Sequence, residues 1–340
     1  MQSRGRIRSK RFLEITMRVT RRNLPAGLFA ILAVFTQLQT EAQESYPSRS
    51  VKIVVPFPPG GVVDTVSRMV AEKVAAKLGQ PIIVENKPGA SGNIGAEMVA
   101  SARPDGYTLL SSPPPPLVIN QSLYPHLPFN PAMFVPITII AGAPNILVAH
   151  PKVQVENAPD LIALAKAHPG KLNYASTGSG GTPHVTAEWF KSAAGVQLTH
   201  IPYQGVKAYH ALLAAEVDVS FMNLADALPY IRSGKLKALA VASEKRIPQL
   251  PNVSLLTDTI PGFVSSTWFG IVATPGTPLA VAEKLSAAIT DALRLPDIAK
   301  KLNDMNLDPI GGSPAQTAVF LKEEMERWSK VVRIADIKID

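Results

Sequence analysis

Two glycine-rich stretches are the residues best placed to do chemistry in this chain. Pro56-Phe57-Pro58-Pro59-Gly60-Gly61 and Ser176-Thr177-Gly178-Ser179-Gly180-Gly181 each follow a β-like run and precede a helical pattern. Glycine removes the side chain that would keep a ligand away from backbone N–H groups. The helix behind it adds about half a positive charge at its N-terminus. Such a loop holds an anion without any arginine. For either loop taken alone, a tight βα turn that binds nothing is the alternative. Two such loops on two lobes would face each other across a cleft and could hold carboxylate groups between them.

Other chemistries fail on spacing. No G-x-x-x-x-G-K-[ST] phosphate loop occurs. Gly178-Ser179-Gly180-Gly181 approaches a dinucleotide loop, but Pro183 stands where its last glycine belongs. Ser179 approaches a nucleophile elbow, but Thr177 breaks G-x-S-x-G. His126, His150, His168, His184, His200 and His210 never pair at metal spacing. With no cysteine, disulfides and thiolate metal sites are excluded. The expectation is therefore a binding protein rather than an enzyme, with no catalytic residue, no metal and no cofactor.

Single residues carry two readings each. Asp64 could touch a ligand, but it more simply caps a helix starting at Thr65. Thr182 is a good N-cap with Pro183 at the first helical position, and its hydroxyl lies where the anion would sit. His184 could donate to a carboxylate or pack. Phe57 and Tyr203 could line the cleft or fill core. His168 reads as a solvated helix end, and His210 as a surface or core-edge residue on a helix. Pro58, Gly60, Gly61, Ser112, Ser176, Thr177, Gly178, Gly205, Met222 and Asn223 complete the candidate set.

These residues need a frame, and the pattern supplies one. Val51–Phe57, Pro81–Asn86, Thr108–Ser111, Leu172–Ser176, Val217–Met222 and Lys237–Ala242 read as strands. Val66, Val70, Val74 and Leu78 fall on one helical stripe that stops at Gly79. The second loop's helix should end near Gly195. Ala227–Ser233 reads as a helix stopped by Gly234 and capped by Asp226. Ser313-Pro314-Ala315-Gln316 is a capping box opening a long amphipathic helix to about Arg333. Pro113–Pro116 reads as a rigid loop. Alternating strands and helices imply a largely parallel sheet with helices on both faces. Ligands of such sheets bind at the carboxyl ends of the strands.

The 298 residues that follow residue 42 are many for one core, so two lobes are expected. With 46% hydrophobic and 18% charged residues it is globular in composition. Crossovers between the lobes are placed near Pro144–His150 and Phe263–Val272. The expected division is 43–146 plus 268–340 for one lobe and 147–267 for the other.

The net charge of +8 would suggest a nucleic-acid partner, but most of it sits before residue 43. Arg4, Arg6, Arg8, Lys10, Arg11, Arg18, Arg21 and Arg22 stand there against Glu14 and Glu41. No nucleic-acid partner is therefore expected. The basic stretch leads into the apolar run Pro25–Phe35 and then Thr40-Glu41-Ala42, which reads as an export signal cleaved after Ala42. Met17 could equally be the start, and Thr20-Arg21-Arg22-Asn23-Leu24 loosely matches a twin-arginine signal. After residue 42 no apolar stretch is long enough to cross a bilayer. The mature protein is expected in the periplasm, as a monomer.

The ordered set of motifs resembles a known family. Pro56-Phe57-Pro58-Pro59-Gly60-Gly61-Val62-Val63-Asp64 is similar to the P-F-x-P-G-G-x-x-D loop of the Bug receptors, the solute receptors of tripartite tricarboxylate transporters. The resemblance continues through Val84–Asn93, Pro104–Thr108, Leu127–Pro131, Ser176–His184, Pro202–Gly205, Gly234–Ala240 and Pro275–Pro278. It covers essentially the whole mature chain. It implies a two-lobed α/β periplasmic-binding-protein fold of type II (the Venus-flytrap architecture), each lobe a mostly parallel sheet flanked by helices. It also implies a small organic acid as ligand and a separate two-subunit permease as partner. A receptor that signals to a membrane sensor kinase is the alternative, and an enzyme on the same fold a remote one. In such receptors the loops matching Pro58–Asp64 and Ser176–Thr182 hold a ligand carboxylate. Two departures bear on the ligand. Ala214-Ala215-Glu216 stands where relatives carry glycines, and Met222 where they often carry an acid. A thioether accepts hydrogen bonds weakly and offers a soft apolar surface. Met222 on the cleft therefore predicts an acid with an apolar or aromatic body, not an amino acid.

Overall fold

The computed structural model describes residues 46–339. The expected export signal, 1–42, lies outside the described residues. The chain opens with strand β1 (Val51–Val55), helix α1 (Val62–Leu78) and strand β2 (Ile82–Asn86). Helix α2 (Asn93–Ala100), strand β3 (Thr108–Ser112) and the short helix α3 (Asn120–Leu123) follow. The long strand β4 (Val135–Ala149) leads into α4 (Ala158–Ala167), β5 (Asn173–Ser176) and α5 (Thr182–Ala194). Next come β6 (Thr199–Pro202), α6 (Lys207–Leu213), β7 (Val219–Asn223), α7 (Leu224–Arg232) and β8 (Lys237–Val241). The chain closes with β9 (Ser266–Ala273), α8 (Leu279–Leu293), α9 (Pro296–Asp304), β10 (Asp308–Gly311) and α10 (Pro314–Ile334).

The strands run in the order β2-β1-β3-β9-β4-β7-β5-β6, with β10 and β8 both pairing β4. Two parallel units stand at the ends: β2-β1-β3 at one, and β7-β5-β6 at the other. The connecting strands pair antiparallel, β9 with β3 and β4, and β4 with β7, β8 and β10. Parallel βαβ units were legible in the pattern. The antiparallel middle was not, because it is made by the chain crossing from one unit to the other and back.

β4 is the strand that joins the two halves. Its residues Val135–Pro144 pair with β9, and Asn145–Ala149 pair with β7. The change of partner falls at Asn145, which is fully buried. Burying an amide side chain is costly unless its groups are bonded, and here both ends are. Nδ2 donates to Ser265 Oγ at 2.7 Å and Oδ1 accepts from Thr267 Oγ1 at 2.9 Å. Thr186 Oγ1 of α5 lies 2.8 Å from Ser265 Oγ. Backbone bonds Asn145 N–H to Ser265 O, and Ala242 N–H to Asn145 O, complete the tie at 2.8 Å each. Both chain crossings are thus pinned side by side where the two halves meet.

Helices cover the sheet faces. In α1, Val66, Val70 and Val74 are essentially unexposed while Leu78 is half-buried. That is the expected stripe, each buried valine contributing about 1.5–3 kcal/mol relative to exposure. Gly79 ends the helix in the left-handed conformation (φ 71°). The Ser313–Gln316 capping box opens α10 as its sequence predicts. Further along, Glu324 accepts from the indole of Trp268 at 2.8 Å, which ties α10 to β9.

Four local expectations are corrected. Helix α1 starts at Val62 with Gly61 as its cap, so Asp64 sits in the first turn rather than capping Thr65. Helix α5 is capped by Gly181, leaving Thr182 as its first helical residue. Asn223 caps α7 by accepting the Ala225 N–H at 2.9 Å, so Asp226 is not the cap. Pro115–Ile119 winds into a helical turn instead of a plain rigid loop. The glycines explain the first two: extended backbone at Gly61 and Gly181 begins each helix earlier than the nearest polar side chain suggested.

Candidate functional site

The two glycine loops have the same construction. Gly60 and Gly180 both take positive φ, 82° and 79°, which only glycine adopts without strain. Each is followed by an extended glycine that caps a helix. The N–H of Gly60 donates to Asp64 Oδ2 at 3.0 Å, and the N–H of Gly180 donates to His184 Nδ1 at 3.1 Å. Asp64 and His184 therefore brace the loops from behind rather than reaching forward.

Each brace is held in turn. Burial pushes the Asp64 carboxyl up. Hydrogen bonds from Arg68, the Gly60 N–H and Asn86 outweigh it and hold the group below the usual carboxylate range. Asn86 also donates to the Phe57 carbonyl at 3.1 Å, locking the loop to β2. On the other side, His184 stacks on His200 with ring centroids 4.2 Å apart, and His200 stacks on Tyr174 at 4.7 Å. Burial lowers the His184 imidazole, with Lys191 adding to the effect against Glu188. Burial and the His184 ring push His200 down to about 4. Both rings are thus neutral at pH 7, as an imidazole accepting an N–H must be.

The loops converge on one cavity of about 400 Å³ between the two parallel units. Phe57, Pro58, Gly61, Thr177, Thr182, Gly205 and Asn223 of the candidate set line it. Val62 and Val63 line it as well. Their amides belong to the first helical turn, where no intrahelical acceptor exists. The second loop offers less. The Gly181 N–H is taken by the Gly178 carbonyl at 3.1 Å, and Pro183 has no N–H. Thr182 and Thr177 must act there through hydroxyls or their own amides. Between the loops, Ser91 Oγ donates to the Ser179 carbonyl, bridging the two units. Ser91 itself holds φ 50°, unusual for a residue with a side chain.

The remaining candidates stand behind the wall. Gly60, Asp64, Gly178 and His184 shape the loops and do not line the cavity. Ser112 is fully buried and turns its hydroxyl to the Pro113 carbonyl. Ser176 is fully buried, with Oγ 2.7 Å from His200 Nε2. That pairing looks like a nucleophile and base, but the serine has no exposed surface to present to a substrate. Tyr203 points its hydroxyl toward Glu216, 3.5 Å away, and packs on the core.

The expectation for Met222 is corrected. Its side chain is fully buried in the main hydrophobic core, opposite Ile146 of β4, and faces no cavity. Alternation along β7 sends residue 222 inward, and Asn223 to the cavity. The acid on the wall is instead Asp226 of α7, with Tyr209 and Lys207 of α6 nearby. Thr267 and Phe269 of β9 also line the cavity, as do Pro113 and Pro115. Sequence reasoning saw Asp226 but read it as a cap. The β9 pair gave no signal at all, since it reaches the site only because β9 crosses between the units.

The model of the tripartite tricarboxylate transporter family receptor matches residues 66–337. Protein BugT of Bordetella pertussis is 34% identical over 320 residues, covering 92% of this chain and 98% of BugT. A solved structure of an R. palustris protein with adipate superposes with a TM-score of 0.81 at 32% identity, covering 86% of this chain and 99% of that one. MatC from Rhodopseudomonas palustris with bound malate gives 0.79 at 32% identity, covering 84% and 100%. Periplasmic binding protein BugD superposes with a TM-score of 0.79 at 32% identity, covering 86% of this chain and 99% of that one, and the fold is accordingly that of the two-lobed periplasmic binding proteins. The chain belongs to the receptor family of the tripartite tricarboxylate transporters.

Proposed function

We propose that this receptor is exported, captures a small organic acid between its two lobes, and hands it to a two-subunit membrane permease. One observation carries the reading: two glycine loops, each opening a helix N-terminus, converge on a single cavity. Helix N-termini favour negative charge. The ligand carboxylate rests on Gly61, Val62 and Val63 of the first loop, with Thr177 and Thr182 closing over it from the second. Phe57, Pro58, Gly205 and Asn223 bound the rest of the molecule. Gly60, Asp64, Ser112, Ser176, Gly178 and His184 hold the wall in shape. Relatives carrying adipate and malate, both dicarboxylates, support the ligand class. The lobes are assigned to 43–146 with 268–340, and to 147–267.

The test uses the mature chain. Native mass spectrometry should find a carboxylic acid carried through purification, and calorimetry should confirm its binding. Small-angle scattering should then show compaction with saturating acid, because a ligand touching both lobes shifts the population toward closure. If a broad panel of mono-, di- and tricarboxylates neither binds nor changes the scattering profile, the receptor reading is wrong. Fractionation of cells expressing the full chain should place a form cut after Ala42 in the periplasm.

A further inference from the structure

Among the described residues, two charged ones line the cavity, Lys207 and Asp226. Among the described residues neither has an ionic partner within 4.0 Å. An acid on the wall of a site built for anions needs a reason, because it repels the ligand it surrounds.

Asp226 is not occupied by the helix it stands on. An aspartate in a first turn commonly accepts a helix amide, but Asn223 already takes the Ala225 N–H. One oxygen of Asp226 does have a partner: Tyr209 donates its hydroxyl to Oδ2 at 3.0 Å. That bond orients the carboxyl. The other oxygen takes no hydrogen bond within the protein among the described residues. Apolar side chains flank the cavity, including Phe57 and the nearly unexposed Phe269. A half-buried carboxylate beside such walls is costly until a donor arrives.

We propose that Asp226 reads a hydrogen-bond donor on the ligand, so that the receptor selects carboxylic acids bearing an ammonium or hydroxyl group over unsubstituted ones. The proposal rests on the carboxylate-receptor reading above. It reverses the expectation drawn from Met222, which lies in the core and cannot set the ligand. The ligand's carboxylate meets the glycine loops, its body meets the aromatic and proline walls, and its donor meets the open oxygen of Asp226.

The test is a calorimetric ranking on the mature chain. Succinate, malate and aspartate share one frame and differ by a hydrogen, a hydroxyl or an ammonium. Adipate, 2-hydroxyadipate and 2-aminoadipate repeat the comparison at six carbons. At the chain length that binds, a donor-bearing acid should bind at least about tenfold tighter than the unsubstituted one, since a hydrogen bond to a charged group is of that order. A preference for the amino acid or for the hydroxy acid identifies the donor. In Asp226→Asn the preference should fall by about tenfold, and in Asp226→Ser likewise, with melting curves confirming that the variant read is folded. If acids bind but the unsubstituted member is as tight as the others, or the ratio survives in a folded variant, the Asp226 assignment falls while the receptor reading stands. If no acid of either series binds the parent protein, the Asp226 assignment falls, while the receptor reading is decided by the broader panel of mono-, di- and tricarboxylates.

Discussion

Asp64 and His184 hold equivalent places in two separate loops, each accepting the N–H of the glycine four residues before it. One is a carboxylate and the other a neutral imidazole, yet the backbone around them is nearly identical. Gly60 and Gly180 differ by only a few degrees in φ. The site therefore rests on a repeated backbone device whose braces differ in chemistry. A carboxylate held low and an imidazole held low respond differently to acid, so the two halves of the site do too.

The first loop is testable at Gly61. Its φ of −76° suits any residue, and an added Cβ would meet only the Pro58 carbonyl at 3.8 Å. Gly61→Val should therefore fold. Its side chain would occupy the space in which an anion approaches the Val62 and Val63 amides. Carboxylate affinity should drop about tenfold or more, roughly 1.4 kcal/mol or above. Unchanged affinity in a folded variant would remove this loop from the binding surface.

Acid should act through the histidine stack. His184 and His200 are depressed, so the folded state binds fewer protons than the unfolded one below about pH 6.5. Stability is then lost as pH falls from about 6.5 toward the His200 value of about 4. The contribution is on the order of 1–2 kcal/mol once solvent screening of the partly exposed ring is discounted. Thermal melting at pH 7.5 and pH 5 should show it, with a smaller drop in His200→Gln than in the parent protein. An equal drop in both would assign the acid sensitivity elsewhere.

Asp226 runs in the opposite direction. Burial pushes its carboxyl up to about 6, against the hydrogen bond from Tyr209. A raised carboxylate stabilises the fold only while protonated, and that contribution is lost as pH rises through about 6. Asp226→Asn should accordingly stabilise the fold at pH 7.5 by on the order of 1–3 kcal/mol, seen as a higher melting temperature. The advantage should shrink by pH 4, where the parent carboxyl is itself protonated in the fold. A variant less stable than the parent at pH 7.5 would mean that the charge is already compensated.

The crossing point is testable at Asn145. Removing its amide leaves Ser265 and Thr267 without their buried partner. Asn145→Ala should cost about 1–3 kcal/mol, measured by denaturant unfolding. Thr267 also lines the cavity, so the same variant should change ligand affinity. A change within 0.5 kcal/mol, the ordinary range for surface substitutions, would count against the network.

Much of this was legible in the chain itself. Gly60-Gly61 and Gly180-Gly181 marked two candidate anion loops, because glycine between an apolar run and a helix leaves backbone N–H groups open to an approaching anion. The stripe Val66-Val70-Val74 and the Ser313 capping box fixed their helices locally, since periodicity and capping are short-range effects. What the tertiary structure alone decided is which side chains reach the cavity. Met222 and Asn223 are neighbours in sequence, and only the pairing of β7 with β4 sends one to the core and the other to the site. Thr267 and Phe269 carry no local mark of function. They line the cavity because β9 crosses beside β4, more than 100 residues away in the chain. Asp226 followed the same rule: its helix was predictable, but its freedom to meet a ligand depended on Asn223 taking the cap and Tyr209 arriving from another helix.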